Sequence, residues 1–270
     1  PLNQRAFPLN CHFPEPAEIH RGRLYISSGS SNRKMTNPSK KTVAIIPSAG
    51  MGRRMGSRKK NYLTLLDRPV LAHTLEAFEK APSIHSIVVV VPAGDERFCR
   101  DEIVSKYGFK KVVAVVAGGA ERQDSVQNGI KAAGDGFHVI AVHDGARPLV
   151  TPGIIEAVIK AAIEHGAAIA AVPVKDTIKE ASGGFVKRTV PREALLSVQT
   201  PQAFSTDVLG KAFKKAAEDA FTGTDESSLV ERAGFAVKVV EGSYENMKIT
   251  TPEDMAFAEC VLRERLGVKR

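Results

Sequence analysis

The sequence has no apolar run approaching the roughly 20 residues of a membrane-spanning helix, which removes an integral membrane protein from consideration. Cysteine is scarce: Cys11, Cys99 and Cys260 are far apart and odd in number, which excludes a disulfide framework and a metal knuckle. A reducing cytosol is the expected location. No internal repeat is present. The two commonest phosphate-binding signatures are also missing. No glycine stands five residues before a Gly-Lys pair, as a P-loop requires. After Gly50 and Gly52 the third position of a dinucleotide fingerprint is Met55, with Gly56 one residue late. Strong basicity of the folded body is lacking too. Residues 1–41 hold seven Lys/Arg and two Glu, a net +5 of the chain's +8. The modest remainder gives little support to nucleic-acid binding and suits a small anionic substrate better.

What is present begins with residues 1–41, rich in Pro, Asn, Ser and Arg without apolar periodicity, which read as a disordered extension. Its only methionine is Met35, the expected natural start. The preceding stretch then reads as upstream translated sequence. A clipped transit peptide is the rival, which would place the protein in a plastid, and Glu15 and Glu18 count against it. Residues 42–270 suit one domain with an ample core.

The chain is organised around Val43–Gly56. An apolar, β-branched run reads as a buried parallel strand. It breaks into a loop with three glycines, and Arg53, Arg54, Arg58, Lys59 and Lys60 place five cations within eight residues. Glycine admits close backbone approach, and inward N–H groups beside clustered cations make a polyphosphate cradle. From there strand and helix alternate. Helices are expected over 69–80, 95–107 (with Phe98, Glu102 and Ile103 on neighbouring turns), 122–133, 151–165, 206–221 and from Pro252; another opens at Thr224-Asp225-Glu226. Strands are expected over 84–91, 112–116, 139–142, 167–172 and 236–240. This pattern predicts an α/β, Rossmann-like, mostly parallel sheet with helices on both faces, binding ligands beyond the carboxyl ends of its strands. The informative segments fall there: 50–60, 118–125 and 143–148. Residues 173–199 break the pattern and read as a protruding β-hairpin arm, about 174–198, that packs on a partner subunit.

Three further groups carry chemistry. Gly118-Gly119 precedes a helix on which Arg122, Ser125 and Gly129 make one polar face, suited to a hydroxyl or phosphate. Asp144 in His143-Asp144-Gly145-Ala146-Arg147-Pro148 ends a buried strand, where a carboxylate is costly unless it is paired or meets a metal such as magnesium on nucleotide phosphates. His143 reads as a packing histidine rather than a base. Lys248, expected near the end of a late strand, is placed to reach phosphate.

Over residues 42–264 the sequence resembles the 2-C-methyl-D-erythritol 4-phosphate cytidylyltransferases of the non-mevalonate isoprenoid pathway. The likeness lies in Pro47-Ser48-Ala49-Gly50-Met51-Gly52-Arg53-Arg54-Met55, Lys60-Asn61-Tyr62-Leu63, Gly118-Gly119 with Glu121-Arg122 and Asp124-Ser125-Val126, the Asp144-Gly145-Ala146-Arg147-Pro148 segment, Pro173-Val174-Lys175-Asp176-Thr177, Gln199-Thr200-Pro201-Gln202, Thr224-Asp225-Glu226 and Asn246-Met247-Lys248-Ile249-Thr250. Ser48 stands where the family commonly has Ala, and Asn61 where it has Gln. The resemblance implies a nucleotide-diphospho-sugar transferase type of fold and the transfer of CMP from CTP to methylerythritol phosphate, with magnesium bound on the CTP phosphates. It implies Arg54 and Lys60 as transition-state cations, and Pro47, Ser48, Ala49, Gly50, Met51, Gly52, Gly119, Arg122 and Ser125 around CTP. Asp144, Arg147, Thr200, Thr224 and Lys248 surround the second substrate, with Asp144 meeting either the metal or the substrate hydroxyls. Thr177 and Arg192 cross from the arm of a homodimer partner. No second enzyme domain is expected after Arg270. The alternatives are a cytidylyltransferase for ribitol 5-phosphate or a relative acting on a sugar 1-phosphate, and, from another class, a non-catalytic nucleotide-binding regulator.

Overall fold

The computed structural model describes residues 41–50 and 60–267, with the side chain of Lys60 outside that description. The expected extension over residues 1–41 lies outside it, save Lys41. Within 41–267 the elements follow in order. Strand β1 is Thr42–Pro47. A 3-10 turn, Lys60–Tyr62, leads to two short paired strands, β2 (Thr64–Leu65) and β3 (Arg68–Pro69). Then come α1 (Val70–Lys80), β4 (Ser86–Val91) and α2 (Glu96–Cys99). Helix α2 runs on as a π-helical turn, Arg100–Ser105. Next are β5 (Val112–Ala117), α3 (Arg122–Ala133), β6 (Val139–Val142), α4 (Pro152–His165) and β7 (Ala167–Pro173). The arm is β8 (Ile178–Ser182) with β9 (Phe185–Val190). The chain closes with β10 (Leu196–Ser205), α5 (Thr206–Glu218), α6 (Glu226–Arg232), β11 (Lys238–Glu241) and α7 (Pro252–Leu266).

Seven strands form one sheet in the order β11-β7-β10-β6-β1-β4-β5. All neighbours are parallel except β10, which runs antiparallel between β6 and β7. The predicted mostly parallel sheet is therefore present, with an antiparallel strand that the sequence pattern does not announce. Polar Gln199, Thr200 and Gln202 interrupt any apolar run, Pro201 offers no N–H to the ladder, and the register shifts between Val198 and Gln202.

Strand β1 shows why the sheet is covered on both faces. Its side chains alternate, so Ala44 and Ile46 join Leu71, Leu75, Phe78 and Val158 of α1 and α4, while Val43 and Ile45 join Val126, Leu209 and Leu229 of α3, α5 and α6. Ile45 and Ile46 are 0% exposed, and each such side chain contributes about 1.5–3 kcal/mol by leaving water. Helix α3 lies close to the sheet because Gly129 has no side chain. A Cβ there would meet Ile45 Cγ2 at 2.5 Å and Val90 Cγ2 at 2.9 Å. Gly129 thus faces the core, not the polar face expected of it, while Arg122 and Ser125 at the N-terminal end of α3 remain at the carboxyl edge of the sheet.

The helix expected over 95–107 is present, and one more expectation, that for Lys248, is corrected. Along the helix expected over 95–107, the buried residues are Cys99 and Ile103; Phe98 is half exposed and meets the Tyr62 ring edge-on at 5.1 Å. Lys248 does not end a strand. It lies in the irregular segment between β11 and α7, held by the Ile249 N–H donating to the Ala146 carbonyl at 2.8 Å. The arm is a separate two-stranded hairpin outside the sheet, turning at Gly183 and Gly184 with φ of 59° and 83°.

Candidate active site

A cavity opens at the carboxyl edge where β1, α3 and the loop after β6 converge. Its lining is Pro47, Ser48, Ala49, Gly50, Asn61, Gly119, Ala120, Glu121, Arg122, Ser125, Asp144, Ala146 and Lys248. Four chain segments far apart in sequence supply these residues because each follows a strand or helix end at the same edge. The lip of β1 is fixed by three bonds. The Ser48 N–H donates to the Val90 carbonyl at 2.7 Å, the Gly145 N–H donates to the Pro47 carbonyl at 3.2 Å, and the Asn61 amide donates to the Ser48 carbonyl at 2.6 Å. Gly145 packs close to this lip, and a Cβ there would stand 2.0 Å from Ser48 Oγ and force that hydroxyl to turn. At the start of α3, Gly119 N–H donates to Ser125 Oγ at 3.1 Å, and Glu121 with Asp124 forms a reciprocal cap.

The electrostatic centre is Asp144, 6% exposed. Lys248 Nζ lies 3.0 Å from its Oδ2, Arg147 Nε 3.4 Å from Oδ2, and Arg122 Nε 3.4 Å from Oδ1. Burial alone would raise the Asp144 pKa; Lys248, Arg122 and Arg147 together overcome it and hold the carboxyl well below its usual range. Arg122 Nη1 also donates to both oxygens of Glu226, at 2.7 and 2.9 Å. On the lining itself stand Glu121, Arg122, Asp144 and Lys248, two ionisable groups of each sign, and Arg122 and Lys248 are the ones that can meet an anion.

Behind Asp144 stands a neutral scaffold. The Arg147 carbonyl accepts from His143 Nε2 at 3.2 Å, so Nε2 carries the proton and Nδ1 accepts from the Thr200 hydroxyl at 3.0 Å. Thr200 Oγ1 in turn accepts the Asp144 N–H at 3.1 Å. Burial pushes the His143 imidazole down to about 3, and its ring packs on Phe78 at 4.9 Å. His143 is thus a neutral packing residue, as its sequence context suggests.

Of the residues singled out from the sequence, Pro47, Ser48, Ala49, Gly50, Gly119, Arg122, Ser125, Asp144 and Lys248 meet in this cavity. Arg147 and Thr200 bond to Asp144 from just behind the wall. Thr224 is exposed in the turn before α6. Thr177 and Arg192 sit on the exposed arm, where Arg192 donates to the Lys175 carbonyl. Met51, Gly52, Arg54 and the Lys60 side chain lie outside the described residues. Asn61 lines the cavity and Glu226 anchors Arg122, neither foreseen as a site residue. Asn61 carried a signal in its position beside Lys60; Glu226 stands in the Thr224-Asp225-Glu226 segment of the resemblance, but its pairing with Arg122, 104 residues away, is not legible there. Among the described residues, no group of three or more His, Cys, Asp and Glu stands ready to hold a metal ion. A magnesium ion held chiefly by nucleotide phosphates needs only one or two protein carboxylates, and an ionised Asp144 at the cavity wall fits that donor set.

Residues 42–264 match the family model for 2-C-methyl-D-erythritol 4-phosphate cytidylyltransferase (IspD). The cytidylyltransferase of that name from Pelotomaculum thermopropionicum is 49% identical over 229 residues, covering 84% of this chain and 96% of its own. Its counterpart from Geobacter metallireducens is 49% identical over 228 residues, covering 83% and 98%. Among solved structures, 4-diphosphocytidyl-2C-methyl-D-erythritol synthase from Anaerococcus prevotii superposes with a TM-score of 0.73 at 32% identity over 83% of this chain and 99% of its own. The Thermus thermophilus cytidylyltransferase gives 0.68 at 35% over the same shares. The fold and these likenesses agree: the chain belongs to the 2-C-methyl-D-erythritol 4-phosphate cytidylyltransferase family.

Proposed function

We infer that the cavity around Asp144 is where this chain carries out its family's reaction. The CMP unit of CTP is transferred to 2-C-methyl-D-erythritol 4-phosphate, and pyrophosphate is released. The observation that carries the assignment is the gathering of Arg122, Lys248 and, from just behind the wall, Arg147 on one ionised carboxylate, in a cavity also lined by Ser48–Gly50. The attacking phosphate and the α-phosphate are both anions. The protein must therefore supply orientation and positive charge, with no covalent nucleophile. In this reading Pro47–Gly52 and Gly119, Arg122 and Ser125 hold CTP. Asp144, Arg147, Thr200, Thr224 and Lys248 hold the acceptor, and Arg54 and Lys60 meet the charge that builds at the α-phosphorus. Magnesium bound on the CTP phosphates would supply further charge neutralisation, and Asp144 would hold either that ion or the acceptor hydroxyls. The separated cysteines support a cytosolic enzyme.

The reaction is tested by pyrophosphate release from the purified protein, with magnesium, four nucleoside triphosphates and three acceptors: methylerythritol phosphate, ribitol 5-phosphate and a hexose 1-phosphate. Release with CTP and methylerythritol phosphate alone is expected. Release with another pair moves the substrate assignment and leaves the phosphate chemistry in place.

The enzyme works as a homodimer in which the arm completes the partner's site. The arm is a bare hairpin with Phe185 80% and Val186 63% exposed, which supports a surface normally covered by a second copy. Its Thr177 and Arg192 are absent from the lining of their own chain's cavity. A Thr177→Ala, Arg192→Ala chain mixed with a Lys60→Ala chain is then expected to regain activity in heterodimers, each of which carries one unaltered site. No recovery in confirmed heterodimers would assign each site to one chain.

A further inference from the structure

We propose that Glu226 is a positioning residue of the nucleotide site, acting through Arg122. Glu226 is 1% exposed and does not line the cavity, yet both its oxygens accept from Arg122 Nη1, at 2.7 and 2.9 Å. The same guanidinium lines the cavity and turns its Nε to Asp144 at 3.4 Å. Arg122 is therefore gripped from behind at one nitrogen and presented forward by another. A long side chain with four rotatable bonds is reduced to one pose, and the entropy of ordering it is spent before the nucleotide arrives.

The grip is itself rigid. Glu226 is the first residue of α6, and its neighbours fasten that end of the helix to β10. Gln202, 1% exposed on β10, donates from Nε2 to Asp225 Oδ2 at 2.7 Å and accepts the Ser227 N–H on Oε1 at 3.1 Å. Asp225 also caps α6, its Oδ1 accepting the Ser228 N–H at 3.0 Å and its Oδ2 the Ser227 hydroxyl at 2.9 Å. The Gly223 N–H donates to Gln123 Oε1 at 3.1 Å, so the turn before α6 is tied to the same helix that carries Arg122. Sheet, α6 and α3 are thus joined in one short circuit with the Glu226–Arg122 pair at its centre. Asp225, the neighbouring carboxylate, is taken up by these caps, which leaves Glu226 for Arg122.

A purely structural reading makes the pair a buried tie between α3 and α6. Two observations favour positioning. The bond is made by the end of a side chain whose other edge faces the cavity. The carboxylate that anchors it has no contact with the cavity of its own. The inference rests on the placement of Arg122 in the CTP site, and its test separates the two.

The experiment is a double-mutant cycle on the full chain, with steady-state pyrophosphate release at varied CTP and thermal melting as a control. Arg122→Gln is expected to raise the KM for CTP about tenfold or more, with kcat within about threefold, as for an interaction equal in ground and transition states. Glu226→Gln, which keeps shape and removes charge, should raise that KM about tenfold, while Glu226→Asp recovers part of the loss. The double variant Arg122→Gln, Glu226→Gln should lie within about twofold of Arg122→Gln alone, because Glu226 has nothing left to position. Multiplying effects in the double variant, or a wild-type KM in Glu226→Gln, would overturn the inference and leave Arg122 in place. An unchanged KM in Arg122→Gln overturns both. Should Glu226→Gln fail to fold, the cycle is run with Glu226→Asp, whose smaller KM effect must also vanish in the Arg122→Gln background.

Discussion

Replacing Lys60 by alanine is expected to lower kcat by about 10²-fold or more, with a much smaller change in CTP binding. The argument starts from charge. As the acceptor phosphate closes on the α-phosphorus, negative charge gathers where the nucleotide alone does not place it. A cation aimed there acts mainly on the transition state, and its loss appears in kcat. The backbone position of Lys60 suits the task. It opens the 3-10 turn Lys60–Tyr62, and the very next residue, Asn61, lines the cavity and donates to the Ser48 carbonyl at 2.6 Å. The turn is therefore fastened to the lip of β1 at the residue next to Lys60. Single-turnover pyrophosphate release with saturating CTP measures the effect directly. Near-normal turnover in the variant would remove Lys60 from the transition state.

The second large effect is expected of Asp144→Asn, for which kcat/KM should fall about 10²- to 10³-fold, together with a loss of roughly 3 kcal/mol in stability. Asparagine keeps the shape and removes the charge. Lys248, Arg147 and Arg122 then repel one another across a carboxamide, and the wall proposed to orient the acceptor loosens; displacements of about 1 Å are enough for a 10²-fold loss. The pH dependence gives a further check. The cations depress the folded pKa of Asp144, so its stabilisation is fully present above the unfolded value of about 3.9 and is lost only as pH falls below that. The stability gap between wild type and Asp144→Asn, read by urea titration, should thus be flat from about pH 5 to 9 and close in stronger acid. The magnesium needed for half-maximal rate should rise in the variant if Asp144 is a metal ligand. An unchanged magnesium requirement with the same loss of rate would give Asp144 to the acceptor hydroxyls alone.

How far the sequence discloses all this depends on the range of the interaction. β1, β4, β6 and β7 are short apolar runs between turn residues, and each is legible because both faces of a parallel strand are buried. The arm is legible from Gly183-Gly184 between two polar strands. Asp144, Arg122 and Ser125 are legible because strand and helix ends gather at one edge, so position along the chain predicts position in space. β10 is not, because its polar residues are satisfied by distant loops: Gln199 donates to the Ser243 carbonyl, 44 residues on, and Thr200 accepts from the Asp144 N–H, 56 residues back. Glu226 reads as an ordinary first-turn acid until the sheet brings α6 against α3. Lys248 is chemically suggestive in sequence, but only the Ile249–Ala146 bond explains how an irregular segment delivers it to Asp144.

The reversed direction of β10 has a consequence for how this architecture tolerates change. β7 ends and β10 begins at the same edge of the sheet, with Pro173 and Leu196 paired across the ladder. Everything between them leaves and returns through one doorway. Length, turn and sequence of that excursion can drift without altering the register of any sheet strand, because the doorway is closed by the sheet itself. A strand entering from the opposite edge would instead need a crossover spanning the whole sheet, and every change in it would be felt in the core. The exposed arm is in this way uncoupled from the frame that holds Asp144, and the two are free to vary at different rates.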